Sequence, residues 1–309
     1  MSETSTLIRS DRADLPRVLS PKRLRTTVGP TLSIVTIAII LGWAFAPSLF
    51  AGDDPRAAVP AQKFRGPSLQ HWFGTDNLGR DMYTRMVHGA AATLSATVLA
   101  VLLGLIVGSA IGLVCGTAGG ILDTVVMRGV DVLLAIPEML SALVLITVLG
   151  PGTRNVAIAV GVALVARFAR VMRAEVLRVR RAPYVEAAFA SGVRWHTVVL
   201  RHILRTAYTP VVALAAVEFG VAVLAISSLS FLGYGAAPPS PEWGSLISEG
   251  RNYLVLAWWM TTLPGLVIVA VVLAAQRLGR TIGGPVSDNR AAARRSDRVR
   301  VSRKTREDR

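Results

Sequence analysis

Six apolar stretches, at about residues 31–50, 92–114, 125–149, 155–172, 207–232 and 254–275, fix what this chain can fold into. Crossing a hydrocarbon layer of about 30 Å takes roughly 20 helical residues, and each stretch comes near that length. Hydrophobic residues make up 52% of the chain and the mean hydropathy is +0.51, more apolar than an ordinary water-exposed surface. The expected fold class is all-α: a polytopic membrane bundle of six transmembrane helices.

The net charge of +15 does not point to nucleic acid, because the arginines sit in blocks between apolar stretches and are not interleaved with aromatic residues. They read as loop charge, and loop charge sets orientation. The N-terminus, the stretch 167–205 and the C-terminal tail are basic, whereas 242–251 carries two acids against one arginine. Both termini are therefore expected on the cytoplasmic side. The expected organisation is a basic segment 1–30, a transmembrane domain 31–277 and a basic tail 278–309 whose composition predicts disorder. The tail suits anionic lipid headgroups, although fixing topology is its ordinary role. Ala44-Phe45-Ala46 resembles a signal cleavage site, but Pro47 follows directly, so the first stretch reads as a retained anchor.

Several chemistries drop out. Cys115 is the only cysteine and lies in an apolar run, so no internal disulfide or thiolate cluster can form. His71, His88, His196 and His202 lack zinc-ligand spacing. The lysines, Lys22, Lys63 and Lys304, stand in no phosphate-cradling Gly-rich loop, and no G-x-S-x-G elbow occurs. No catalytic residue, metal site or cofactor is expected in the chain itself.

Within the spans, Gly104, Gly108, Gly112 and Gly116 recur every four residues, giving a helix face for close packing or, alternatively, a flexible gate. The third stretch carries Asp123, Arg128, Asp131, Pro137 and Glu138, costly next to lipid, so it should face protein or water. Arg128 and Asp131 stand three apart and are placed to pair, and Pro137 is expected to kink the helix. Glu138 and Glu218, with Ser227 and Ser228, are the candidate linings of a water-filled pathway. Each acid could equally be satisfied against a neighbouring helix.

Between the fourth and fifth stretches lies an organised basic loop, about residues 173–206. Pro183 suits a first helical turn and Gly192 a C-terminal cap, bracketing a short helix from Pro183 to Ser191. On it Tyr184, Ala187, Ala188 and Ser191 form a narrow, mostly small face fit for another protein's groove. Glu186 suits the first-turn dipole. Residues 193–204 are expected to form a second helix returning to the membrane. The product is a helical elbow.

The segment Glu186-Ala187-Ala188, three residues, Gly192, nine residues, His202-Ile203-Leu204 resembles the E-A-A-x-x-x-G loop of bacterial ABC importer permeases. Further blocks resemble the C-type permease of dipeptide, oligopeptide and nickel importers, a type I ABC importer fold: Gly74-Thr75-Asp76-Asn77-Leu78-Gly79-Arg80-Asp81; Gly119-Gly120 through Ala135-Ile136-Pro137; Ser230-Phe231-Leu232-Gly233; and Pro238-Pro239 through Trp243-Gly244. The resemblance covers about residues 74–279. It implies a non-catalytic subunit whose coupling residues are Tyr184, Glu186, Ala187, Ala188 and Gly192, with the elbow docking in an ATPase subunit. The implied partners are a homologous B-type permease, two ATP-binding subunits or domains that hold ATP and magnesium, an extracytoplasmic solute-binding protein and membrane lipid. Short peptides are the implied cargo, with nickel chelates or other small solutes as alternatives. An ion-coupled secondary transporter using Glu138 and Glu218 is the reading from another class; against it, no inverted repeat of broken helices is found. Ala91, Arg205 and Ile226 depart from the family pattern, where arginine, proline and an acid are usual.

Overall fold

The computed structural model describes residues 22–281; the basic segment before it and most of the basic tail lie outside the described residues. The main helices are α1 (Lys22–Phe45), α2 (Met82–Ala118), α3 (Gly120–Ala135), α4 (Glu138–Leu149), α5 (Thr153–Arg180), α6 (Pro183–Ala190), α7 (Trp195–Phe231), α8 (Trp243–Gly250) and α9 (Trp259–Thr281). By length and composition α2, α5, α7 and α9 suffice to cross a membrane, and α3 with α4 passes only as a pair bent by 96°. The apolar part of α1, Gly29–Phe45, is shorter than these. Pro47 cannot continue α1 and opens a one-turn helix, Pro47–Phe50, in its place.

The helices overrun the apolar stretches where caps and charges permit. α2 begins ten residues before residue 92 because Asp81 accepts a hydrogen bond from the Thr84 N–H at 2.7 Å, an N-cap that hydropathy cannot register. Arginine is a good helix former, and Arg178 and Arg180 in the last turn complement the C-terminal dipole, so α5 runs through residues 173–180, where a loop is expected. In the third stretch Pro137 causes a break and not the expected kink. The chain is extended at Ile136 and restarts as helix only at Glu138.

The expected pairing of Arg128 with Asp131 is not what the fold does. Asp131 instead pairs with Arg170 of α5, because the side of α3 bearing it lies along α5.

The bundle is built on the seam between α2 and α5. An ideal Cβ at Gly108 would stand 2.5 Å from the Val165 carbonyl oxygen, and one at Gly112 would stand 2.4 Å from that of Ala169. The backbones meet where a side chain would keep them apart, so the glycine stripe packs helices. α7 covers this pair, and α1, α8 and α9 close around the start of α2 in an apolar cluster containing Trp43, Met86, Trp243 and Met260. One end of the bundle carries the segments 51–81 and 232–258. The other carries the Gly119-Gly120 turn and α6.

Candidate functional site

At the elbow, Pro183 opens α6 and Gly192, at φ 76°, closes it. The Val193 N–H reaches the Ala188 carbonyl at 3.3 Å and the Gly192 N–H reaches that of Phe189 at 3.0 Å, the paired bonds of a Schellman cap. A Cβ at Gly192 would meet open space, so the demand for glycine comes from the left-handed backbone alone.

Val185 is wholly buried and Ala188 packs with it against a cluster formed by Val176 and Val179 of α5 and Val198, Val199 and Ile203 of α7. The small hairpin is thereby clamped to two spans at once. Of the four residues expected on the outward face, Tyr184, Ala187 and Ser191 are exposed, as is Glu186, while Ala188 turns inward. The Tyr184 hydroxyl lies 3.3 Å from Thr206 Oγ1, tying the start of α6 to α7.

The second arm of the elbow makes no separate turn into the membrane. It runs straight into the fifth stretch as α7, through a π-helical segment Val199–Leu204 that holds His202, Ile203 and Leu204. Arg205 occupies ordinary helical backbone there, so its departure from proline costs no turn. α6 is thus in packing contact with both α5 and α7.

Along α5, Arg167, Arg170 and Arg173 recur every third residue and meet acids of the broken pair. Arg173 holds Asp123 by two hydrogen bonds of 2.5 and 2.6 Å, and Arg170 pairs with Asp131. Arg167 stands 2.5 Å from Glu138 and 2.9 Å from Glu218. The two candidate pathway acids are thus brought together around one guanidinium, near the middle of α5 and α7. Glu138 and Arg167 also line a cavity of about 460 Å³ at the break, with Ile136, Pro137 and Ser141. Ser227 and Ser228 lie elsewhere, in a second cavity of about 420 Å³ bordered by Phe231 and Ile268.

At the opposite end, the Gly74-to-Asp81 block serves as a lock. Arg85 and Asp76 are fully buried; Arg85 donates to Asp76 Oδ2 at 2.9 Å and to Glu249 of α8 at 2.7 and 3.0 Å. Arg80 bridges the same two acids at 2.6 and 3.0 Å. The buried carboxylate of Glu242 receives the Ser230 hydroxyl at 2.7 Å, the Ala236 N–H at 2.7 Å and the Thr153 hydroxyl at 3.1 Å, fastening the ends of α7 and α5 to the proline-rich loop.

Replacing Arg85 with methionine should destabilise the folded chain by about 3 kcal/mol, because it leaves two acids facing one arginine in a buried site. A lowered midpoint of thermal unfolding in lipid nanodiscs checks this.

Reading the sequence alone missed Arg85, Arg167, Glu242 and Glu249. The arginines were counted only as loop charge. For Arg167 the available signal is its recurrence with Arg170 and Arg173 at every third residue opposite the acids of the third stretch; Arg85 stands in no such pattern. For Glu242 and Glu249 the partners lie far away in sequence and no local pattern announces them.

Residues 108–280 match the family described as binding-protein-dependent transport system inner membrane component. The chain is 37% identical over 246 residues to the dipeptide transport system permease protein DppC of Alkalihalophilus pseudofirmus, covering 80% of this chain and 81% of that protein. It is 42% identical over 214 residues to the glutathione transport system permease protein GsiD of Shigella flexneri serotype 5b, covering 69% and 71%. Its fold is similar to a chain of the MetNI methionine ABC transporter solved in inward-facing conformations, with a TM-score of 0.52, 20% identity, and coverage of 65% of this chain and 97% of that one.

Proposed function

The chain belongs to the family of binding-protein-dependent transport system inner membrane components, and from that premise we propose how this permease subunit of an ABC importer couples and what it carries. It forms half of a translocation pathway beside a homologous permease. Two ATP-binding subunits or domains supply the energy, holding ATP and magnesium themselves, and an extracytoplasmic solute-binding protein delivers the cargo. Both termini and the elbow face the cytoplasm, as the basic charge around residues 167–205 favours.

The observation that carries the coupling role is the clamped elbow. Its outward side, Tyr184, Glu186, Ala187 and Ser191, offers a partner a small-residue surface, while its inward side, Val185 and Ala188, is packed onto the ends of α5 and α7. Force applied to α6 moves two spans together, and α5 in turn holds α3 and α4 through its three arginines.

Short peptides are the proposed cargo, since the relatives named above are described as carrying dipeptide or glutathione. Glu138 and Glu218 share the single guanidinium of Arg167.

In proteoliposomes holding the assembled transporter and its binding protein, uptake of a labelled dipeptide is expected to continue when the proton gradient is collapsed and to stop without ATP. Uptake driven by a pH gradient alone would refute the reading.

A further inference from the structure

Between α8 and α9 the chain turns three aliphatic side chains outward in succession. Val255 is wholly exposed, and Leu254, Leu256 and Trp258 are each more than half exposed. A single exposed leucine needs no explanation, whereas a contiguous apolar patch marks a surface that something other than water covers. The fold holds the patch from both sides. The Leu256 N–H donates to the Tyr253 carbonyl at 3.0 Å, and Ala257 between the exposed residues is fully buried. The Tyr253 ring lies 5.0 Å from that of Phe64, and the Trp259 indole N–H donates to the Thr75 carbonyl at 3.1 Å.

The level of the patch follows from α9. The exposed side of that helix is one stripe, Leu266, Val269 and Leu273, with Trp258 just before its head and Arg277 and Arg280 at its foot. From Trp259 to Arg277 the helix rises about 27 Å at about 1.5 Å per residue, close to the hydrocarbon thickness of about 30 Å. With Arg277 at one headgroup layer, Trp258 stands at the other, and Leu254, Val255 and Leu256 lie beside it at the same depth.

The chemistry of the patch separates lipid from a protein partner. No charged residue occurs between Arg251 and Arg277. A soluble partner that docks and leaves is held at a polar rim rich in hydrogen bonds, which three aliphatic side chains and an indole do not supply. Apolar side chains with a tryptophan at the end of a span are what the boundary between headgroups and hydrocarbon accommodates. Arg251, exposed at the start of the turn and 5.9 Å from the centroid of the Phe231 ring, adds a cation suited to headgroup phosphate.

We propose that residues 254–258 insert into the headgroup boundary of the bilayer as a fixed apolar wedge. The wedge anchors this end of α9 and, through Tyr253 and Trp259, the segment 64–75 that leads into the buried ion pairs of Asp76, Arg80 and Arg85.

The test is a spin label at position 255, carried by Val255→Cys on a Cys115→Ala background. The chain is studied in the assembled transporter, its other subunits free of cysteine, in nanodiscs of phosphatidylethanolamine and phosphatidylglycerol. Access of molecular oxygen, which concentrates in lipid, is compared with access of a nickel chelate, which stays in water. Ala58→Cys is the aqueous control, since Ala58 is exposed in a segment carrying Asp53, Asp54 and Arg56. The oxygen-to-nickel ratio at 255 should exceed that at 58 several-fold, and it should not change when the solute-loaded binding protein is added.

A ratio equal to that at 58 overturns the proposal. Loss of access to both reagents also overturns it, by placing the patch against another permease. Water access that is lost only when the binding protein arrives overturns it in favour of a docking face for that protein. Should a label at 255 block assembly, the same comparison at Leu256→Cys decides. No transport enters the readout, so an error in the proposed cargo leaves the result standing.

Discussion

A chain carrying valine at both Gly108 and Gly112 is expected to be lost from the membrane fraction as a folded protein. At each position a new Cβ would fall within 2.6 Å of backbone on α5, and backbone cannot swing aside as the end of a flexible side chain can. Valine adds two further methyl groups at that point. Overpacking costs roughly 3 kcal/mol per site, so the pair removes much of a total stability of about 5–15 kcal/mol. Helix association in lipid lacks a hydrophobic driving force and depends on close contact, which sharpens the effect. Gly129 is the control, because a Cβ there meets nothing within 4 Å. Alanine at Gly129 should lower neither yield nor melting temperature in nanodiscs, since a helix interior favours alanine over glycine, and any reverse order of effects would contradict the packing role of the stripe.

The second large effect concerns coupling without loss of fold. Glu186 is exposed in the first turn of α6 and makes no contact on which the elbow depends. Reversing its charge with lysine gives up only a favourable dipole interaction, about 0.5 kcal/mol. The folded complex should survive. On the coupling role proposed for α6, what changes is the surface offered to the ATPase, where an opposite charge at a docking face costs far more than at a free one. Uptake per ATP hydrolysed should drop by roughly tenfold or more, as expected when one close charge contact at an interface is lost. Valine at Gly192 should act from the opposite direction. It forces a β-branched residue into φ 76°, strains the cap by about 1–2 kcal/mol and tilts α6 instead of recharging it. Both variants are read by measuring labelled-dipeptide uptake and phosphate release on the same proteoliposomes.

How far the sequence disclosed this fold depends on the range over which each signal acts. The elbow was legible almost residue by residue, because Pro183 and Gly192 act through their own backbone angles. The glycine stripe was legible as a face, and the structure supplied the helix that meets it. The start of α2 and the end of α5 were not visible to hydropathy, since Asp81 capping and arginine's helix propensity are independent of apolarity.

The charged groups were the hardest to place. Glu138 and Glu218 were singled out because carboxylates in apolar runs are expensive, but nothing near either one in sequence points to Arg167. Arg128 and Asp131 looked paired by spacing, although spacing ranks neighbours only on a lone helix. Once α5 lies alongside, Arg170 offers Asp131 another partner. The lock of Asp76, Arg80, Arg85 and Glu249 joins residues 169 positions apart at its widest hydrogen bond.

Docking of α6 on an ATP-driven partner inside the cell, as proposed, can be trapped by a cross-link. Cys115 is the only cysteine and is buried, so a Cys115→Ala background frees the chain for Ala187→Cys, to be paired with single cysteines in the groove of the co-purified ATPase subunit. The predicted result is a disulfide between the two chains, formed under mild oxidation, that stops uptake until it is reduced. Labelling of the position-187 thiol by a membrane-impermeant maleimide added outside intact cells, with no adduct to any ATPase, would rule out this docking.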